Sequence, residues 1–281
     1  MPELPEVETM RRGVAPAVGA TIERFEKVRC PRKPIEISPP PPAFRRRVEG
    51  CRVTAAERAG KRVVLRLDSG DAIVFEPRMT GLLLLSDPPD PLYSRVRFTL
   101  SGRGRASQLV YWDRRGLGNV RLVTPAEFSD RYGPAALGPD ALTMTSDEYR
   151  TRLGASRRAI KVALLDQEAV AGIGNLYAAE ILHVAGIHPE RECFRLTRAQ
   201  WTALADAATA VLAEAIRYEG STLSDGTYRN ALNKAGGYQN EHRVYDKAGE
   251  PCPRCGRVIE RIVQAQRSTF FCRGCQKRSG R

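Results

Sequence analysis

The sequence predicts a multidomain α+β protein: an N-terminal β-sandwich with a flanking helix, a helical middle, and a C-terminal four-cysteine zinc finger. Three observations lead there. Short β-branched runs separated by turn residues fill Thr21 to Val123, helical periodicity takes over near Thr143, and two C-x2-C pairs close the chain.

Arg62 to Leu67 precedes the turn Asp68-Ser69-Gly70-Asp71, Ala72 to Phe75 follows it, and Val96 to Leu100 runs into Ser101-Gly102. Strands at this spacing suit a sandwich or a barrel. Ser38-Pro39-Pro40-Pro41-Pro42 interrupts them and is expected as a stiff surface excursion. Farther on, Thr145 and Glu148 offer a capping box for a helix through Leu153, and Ile160 to Gln167 is expected as another. Trp201, Leu204, Ala208, Val211, Leu212, Ala215 and Tyr218 recur at three- and four-residue steps, the core stripe of a long helix between Thr197 and Tyr218. From Gly220 to Tyr238 the composition turns to Gly, Ser, Asn and Lys, which predicts a mobile functional loop.

A chain of 281 residues with 42% hydrophobic content fits two domains plus a small module. Its 45 Lys and Arg against 32 Asp and Glu give a formal charge of +13, which favours a polyanionic partner. No window approaches the roughly 18 apolar residues of a spanning helix, and the acidic start is unlike a signal peptide. Of seven cysteines, Cys30, Cys51 and Cys193 are scattered, so a disulfide framework is not expected and a reducing compartment is. The other four form Cys252-Pro253-Arg254-Cys255 and Cys272-Arg273-Gly274-Cys275, two knuckles with sixteen residues between them. That pattern predicts one structural Zn2+ on Cys252, Cys255, Cys272 and Cys275. Ten basic and four acidic residues from Gly236 to Arg281 make the finger a phosphate grip.

Two motifs carry further chemistry. Removal of Met1 from Pro2-Glu3-Leu4-Pro5-Glu6 would leave a secondary amine, whose adduct with an aldehyde carbon stays cationic, beside carboxylates that can move protons. The same residues also suit a plain helix start, with proline in the first turn and acids at the positive end of the dipole. In Ala171-Gly172-Ile173-Gly174-Asn175, two glycines make a tight turn before a second helix. Its first N–H groups can hold a phosphate, and Asn175 can equally be a simple cap.

Pro2-Glu3-Leu4-Pro5-Glu6-Val7-Glu8, Gly172-Ile173-Gly174-Asn175, Gly186-Ile187-His188-Pro189 and the knuckles with Ala265-Gln266-Arg267 closely resemble the formamidopyrimidine-DNA glycosylase family over nearly the whole chain. The resemblance implies a β-sandwich over 2–135, a helix-two-turn-helix domain over 136–235 with a lesion-covering loop at 220–238, and a zinc finger over 239–281, with DNA in the cleft between. It implies a bifunctional enzyme that excises 8-oxoguanine and formamidopyrimidines from damaged double-stranded DNA and cleaves the abasic strand by β,δ-elimination. Pro2 would attack C1′ and Glu3 donate a proton, with Lys61 tied to β-elimination and Arg267 to δ-elimination. Met79, Arg115 and Leu117 would fill the hole left by the flipped base; as bare sequence, Met79 also reads as a core methionine. Phosphate contacts fall on Lys61, Asn175 and Arg267, with Arg157 added, and Ser221, Thr222 and Tyr238 belong to the loop. The expected setting is a cytoplasmic, nucleoid-associated monomer with no membrane partner.

Departures bear on specificity. Glu76 and Tyr93 stand where the family has histidines, and Asp113-Arg114-Arg115-Gly116-Leu117-Gly118 puts leucine where it has phenylalanine. Two other readings stay open: an endonuclease VIII-like glycosylase for oxidised pyrimidines, and a DNA-binding relic without catalysis.

Overall fold

In the computed structural model, which describes residues 2–102, 106–222, 226 and 228–278, the chain divides into two units. One is Met1–Gly133 with Ile216–Gln239, the other Pro134–Ala215 with Asn240–Arg281.

The first unit opens with α1 (Leu4–Gly13), which has proline in its first turn and arginines in its last. There follow β1 (Ala20–Lys27), β2 (Glu36–Ser38), α2 (Pro41–Val48), β3 (Val53–Ala59), β4 (Arg62–Leu67), β5 (Ala72–Glu76), β6 (Gly81–Leu84), β7 (Ser94–Gly102), β8 (Gln108–Asp113), β9 (Asn119–Val123) and α3 (Pro125–Tyr132). Among the described residues the strands form a four-stranded sheet, β1-β7-β8-β6, and a five-stranded sheet, β2-β9-β5-β4-β3. All pairs are antiparallel except β2 with β9.

Alternation decides which residues meet. Val63, Leu65, Ile73, Phe75, Val120 and Leu122 share one apolar core with Phe25, Val96, Phe98 and Tyr111, and α1 adds Val7 and Met10. Phe25 stacks on Phe44 of α2 at 4.4 Å between ring centroids. The opposite parity of the five-stranded sheet, Val64, Ala72 and Val74, lies under Phe128 and Tyr132 of α3. The proline run is not wholly an excursion: Pro41 and Pro42 open α2, where a missing N–H costs nothing.

The segment Ile216–Gln239, expected within 136–235, packs with the sandwich. Leu85 N–H donates to the Ala231 carbonyl at 3.1 Å. A Cβ on Gly13 would come within 2.3 Å of that of Ala231, so α1 and this segment touch through a glycine.

In the second unit, α4 (Ser146–Leu153) carries the expected capping box of Thr145 and Glu148. The next helix, α5, is Ile160–Ala163 rather than Ile160 to Gln167. Asp166 explains the early stop, because its side chain accepts from Glu168 N–H at 3.1 Å and from Arg158 at 2.9 Å and so holds a turn. Then come α6 (Asn175–Ala185) and α7 (Arg198–Arg217). The latter buries Trp201, Leu204, Ala208, Val211, Leu212 and Ala215, whereas Tyr218, beyond its end, is exposed. An antiparallel ribbon of β10 (Glu260–Gln264) and β11 (Arg267–Phe271) completes the unit. Among the described residues, no helix is long and apolar enough to cross a membrane.

Candidate active site and metal centre

The start of α1 is built around Glu6. One of its carboxylate oxygens accepts from Glu3 N–H at 2.9 Å, and the other accepts from Ser221 N–H at 2.8 Å. Glu6 is 3% exposed and Glu3 is 4% exposed, and Pro2 is buried beside them. The tie joins residues 215 positions apart in sequence and fixes the beginning of the 220–238 loop against the candidate nucleophile's neighbour.

That loop is closed at its base. Thr222 Oγ1 donates to the Tyr228 carbonyl at 2.8 Å and accepts from Gly236 N–H at 2.9 Å, and Tyr238 N–H donates to the Gly220 carbonyl at 3.0 Å. Tyr238 is buried rather than turned outward. Residues 223–225 and 227 of the loop lie outside the described residues.

Glu8, one turn along α1, is a brace. Burial works to raise its pKa, but hydrogen bonds from Arg11 and Arg12 and the charge of Arg58 bring it down to about 2. Arg58 reaches Glu8 at 3.2 Å and the Gly60 carbonyl at 3.1 Å, so it ties α1 to the β3–β4 turn that carries Lys61.

The candidate wedge is organised by a buried carboxylate that sequence reasoning passed over. Asp113 Oδ1 accepts from Thr80 Oγ1 at 2.5 Å and from Arg115 N–H at 3.1 Å, while Oδ2 accepts from Gly118 N–H at 2.8 Å. Two chain segments are thereby locked together, and Arg115 Nη1 lies 3.1 Å from Met79 Sδ. Met79 at 40% and Leu117 at 37% exposure present apolar side chains to solvent, so Met79 is no core methionine. Gly116 has φ of +64°, and a Cβ there would stand 2.1 Å from the Lys33 carbonyl oxygen, so only glycine fits. Tyr93 packs its ring edge-on to Trp112 at 5.8 Å between centroids. Glu76 is held by Arg78 Nε at 2.8 Å, Arg62 Nε at 3.3 Å and Asn119 Nδ2 at 3.3 Å. The acid therefore faces two guanidiniums, which compensate its charge.

In the second unit, the N-cap of α6 is Gly174, and Asn175 is the first helical residue, which removes the simple asparagine-cap reading. Its side chain works across space: Lys161 Nζ donates to Oδ1 at 2.5 Å, and Nδ2 donates to the Ser268 carbonyl of β11 at 3.0 Å. Lys161 is fully buried, a position legible only once the register of the short α5 is known. Arg157 is exposed on the approach to α5. Arg267 is exposed at the ribbon tip, after Ala265 and Gln266 with φ of +45° and +60°. Two non-glycine residues in that region cost roughly 1–2 kcal/mol each.

The four cysteine sulfurs converge. All lie within 4.8 Å of one another, with Cys252 to Cys275 at 3.8 Å and Cys255 to Cys272 at 3.4 Å. A tetrahedron with Zn–S bonds of about 2.3 Å has edges of about 3.8 Å, so the donor set fits one structural Zn2+. The metal would stabilise the knuckles, and its closed coordination leaves no position for a substrate.

Comparisons with known proteins agree with this arrangement. The model of the formamidopyrimidine-DNA glycosylase N-terminal domain matches residues 1–120, that of the H2TH domain residues 136–227, and that of the zinc finger found in FPG and IleRS residues 249–278. The formamidopyrimidine-DNA glycosylase of Chloroflexus aggregans is 43% identical over 284 residues, covering 98% of each chain. The crystal structure of the Thermus thermophilus MutM (Fpg) protein superposes with a TM-score of 0.84 at 36% identity, covering 99% of this chain and 100% of that one. A Lactococcus lactis Fpg variant in complex with DNA containing Fapy-dG gives 0.86 at 32% identity, covering 98% and 100%. Fold and site thus define a DNA glycosylase with a zinc finger. The chain belongs to the formamidopyrimidine-DNA glycosylase family.

Proposed function

We propose that this enzyme excises oxidised purines, 8-oxoguanine and formamidopyrimidines, from damaged double-stranded DNA and then cleaves the abasic strand by β,δ-elimination. One observation carries the reading: Pro2 and Glu3 lie at the head of α1, where Glu6 binds both Glu3 N–H and Ser221 N–H. The proton donor, which follows the candidate nucleophile in the chain, and the start of the loop expected over the flipped base are thereby held by one carboxylate. The Lactococcus lactis relatives solved with Fapy-dG DNA and with abasic-site DNA support the substrate class.

With Met1 removed, the lone pair of the Pro2 nitrogen attacks C1′, the bond from C1′ to the base breaks, and the base leaves with the proton that the Pro2 nitrogen gives up. Glu3 protonates the sugar ring oxygen as the ring opens, leaving an iminium between Pro2 and C1′. The iminium acidifies C2′. Loss of that proton expels the 3′ phosphate, a second elimination expels the 5′ phosphate, and Lys61 and Arg267 stabilise the departing charge. Met79, Arg115 and Leu117 fill the vacated stack, while Asn175, Arg157 and Arg267 hold phosphates. Tyr93 is assigned to the same DNA face, and Ser221, Thr222 and Tyr238 to the loop over the base. In this division 2–135 carries the nucleophile, 136–235 grips and covers, and 239–281 clamps and supplies Arg267, in a monomer working at the nucleoid.

Borohydride trapping tests the proposal. A duplex bearing 8-oxoguanine or an abasic site should give a covalent adduct by intact mass, and peptide mapping of the reduced adduct should place it on the Pro2 nitrogen. Tight binding by the native enzyme without an adduct would favour the relic. Glu76 and Leu117 keep the pyrimidine reading in play, so the same assay includes 5-hydroxycytosine, and faster release of that base would overturn the purine assignment.

A further inference from the structure

Helix α6 reaches the zinc module through three polar side chains. Asn175 donates to the Ser268 carbonyl at 3.0 Å. Glu180 accepts from the backbone N–H groups of Arg243 at 2.9 Å, Val244 at 2.9 Å and Tyr245 at 2.8 Å. His183 Nε2 lies 3.4 Å from Cys252 Sγ. The first two side chains meet backbone, and the third touches a metal ligand.

The geometry fixes where the His183 proton resides. A zinc-bound Cys252 is a thiolate with no hydrogen to give, so the hydrogen in this contact belongs to Nε2. The ring is buried, and its Nδ1 has no partner among the described residues. A proton on Nδ1 instead would bury an unpaired N–H and turn the Nε2 lone pair toward the thiolate, and both cost free energy. A doubly protonated ring would bury the same unpaired N–H. One arrangement satisfies the contact: neutral imidazole, hydrogen on Nε2, donated to sulfur.

We propose that His183 is a positioning residue for the zinc ion, its Nε2–H donating to the Cys252 thiolate so that metal retention is coupled to α6. Four thiolates around Zn2+ carry a net charge of −2, and a donor drains charge from one sulfur, making it a poorer target for protons and oxidants. The donor comes from the helix that begins at Asn175, so zinc occupancy and the placement of that helix depend on each other.

The test compares zinc transfer from the intact holoenzyme to a chromophoric chelator for the native protein, His183→Gln and His183→Met. Glutamine can place an amide N–H near the position of Nε2, whereas methionine fills comparable space with no donor. His183→Met should release zinc about tenfold faster or more, and His183→Gln should stay close to the native rate. Cobalt-substituted protein gives a second reading, with the sulfur-to-metal charge-transfer band of His183→Met moving to lower energy. Native-like release from His183→Met would overturn the proposal, as would equal acceleration in both variants, which would mark a packing role alone. Should His183→Met fail to fold, ring-nitrogen NMR of the native holoenzyme decides, because a proton on Nδ1 rather than Nε2 refutes it.

Discussion

In the sandwich, Val63, Phe75, Phe98 and Tyr111 meet across two sheets and share a core with α1 and α2, whereas the apolar cluster at the finger is Val244, Cys252, Ile259, Phe270 and Cys272 with Ala179 of α6. Two of those six are metal ligands. So small a cluster does not offset the ordering entropy of its backbone, and ligation supplies what burial cannot. The difference has a functional side. A module held by metal can leave its surface to arginines, while the sandwich buries carboxylates, Glu6, Glu8 and Asp113 among them, that position the site.

Three perturbations bring the contrast out. Zinc removal should have the largest effect: structural zinc contributes on the order of 10 kcal/mol or more to small metal modules, so chelation should unfold the finger while the sandwich keeps its thermal transition. Calorimetry before and after chelation checks this, and loss of both transitions together would contradict the separation. Next comes Phe75→Ala, which should cost the sandwich roughly 3–5 kcal/mol. Bound zinc should remain one equivalent, as measured by metal analysis of the folded fraction.

The smallest is Glu8→Gln. The folded pKa of Glu8, about 2, lies below the ordinary 4.5, so its contribution is present above 4.5 and is lost as pH falls toward 2. Because Glu8 shares its arginines with solvent, the variant should be less stable by only about 1–2 kcal/mol at pH 7. The gap between variant and native protein should close as pH approaches 2, and a gap independent of pH would assign the loss to packing.

Much of this contrast was legible in the sequence, for a physical reason. The strand run ending at Phe75, the stripe on α7 and the cysteine spacing are local patterns, so each announces itself within a few residues. The ties that assemble the site are not local. Glu6 meets Ser221, Asp113 joins Thr80 to Arg115, and Lys161 finds Asn175 only after the chain has folded. A lone aspartate in Trp112-Asp113-Arg114 gives no sign that it will accept three hydrogen bonds. Local reasoning also misplaced the end of α5, because the turn made by Asp166 competes with helix continuation.

Gly116 sets a limit of another kind. With its Cα facing the Lys33 carbonyl oxygen and no room for a Cβ, the position is closed to every substitution, while its neighbour Leu117 stands open to solvent. Evolution can therefore resize the tip of this loop freely, one side chain at a time, but cannot move the loop's foot without rebuilding the strand connection beneath it.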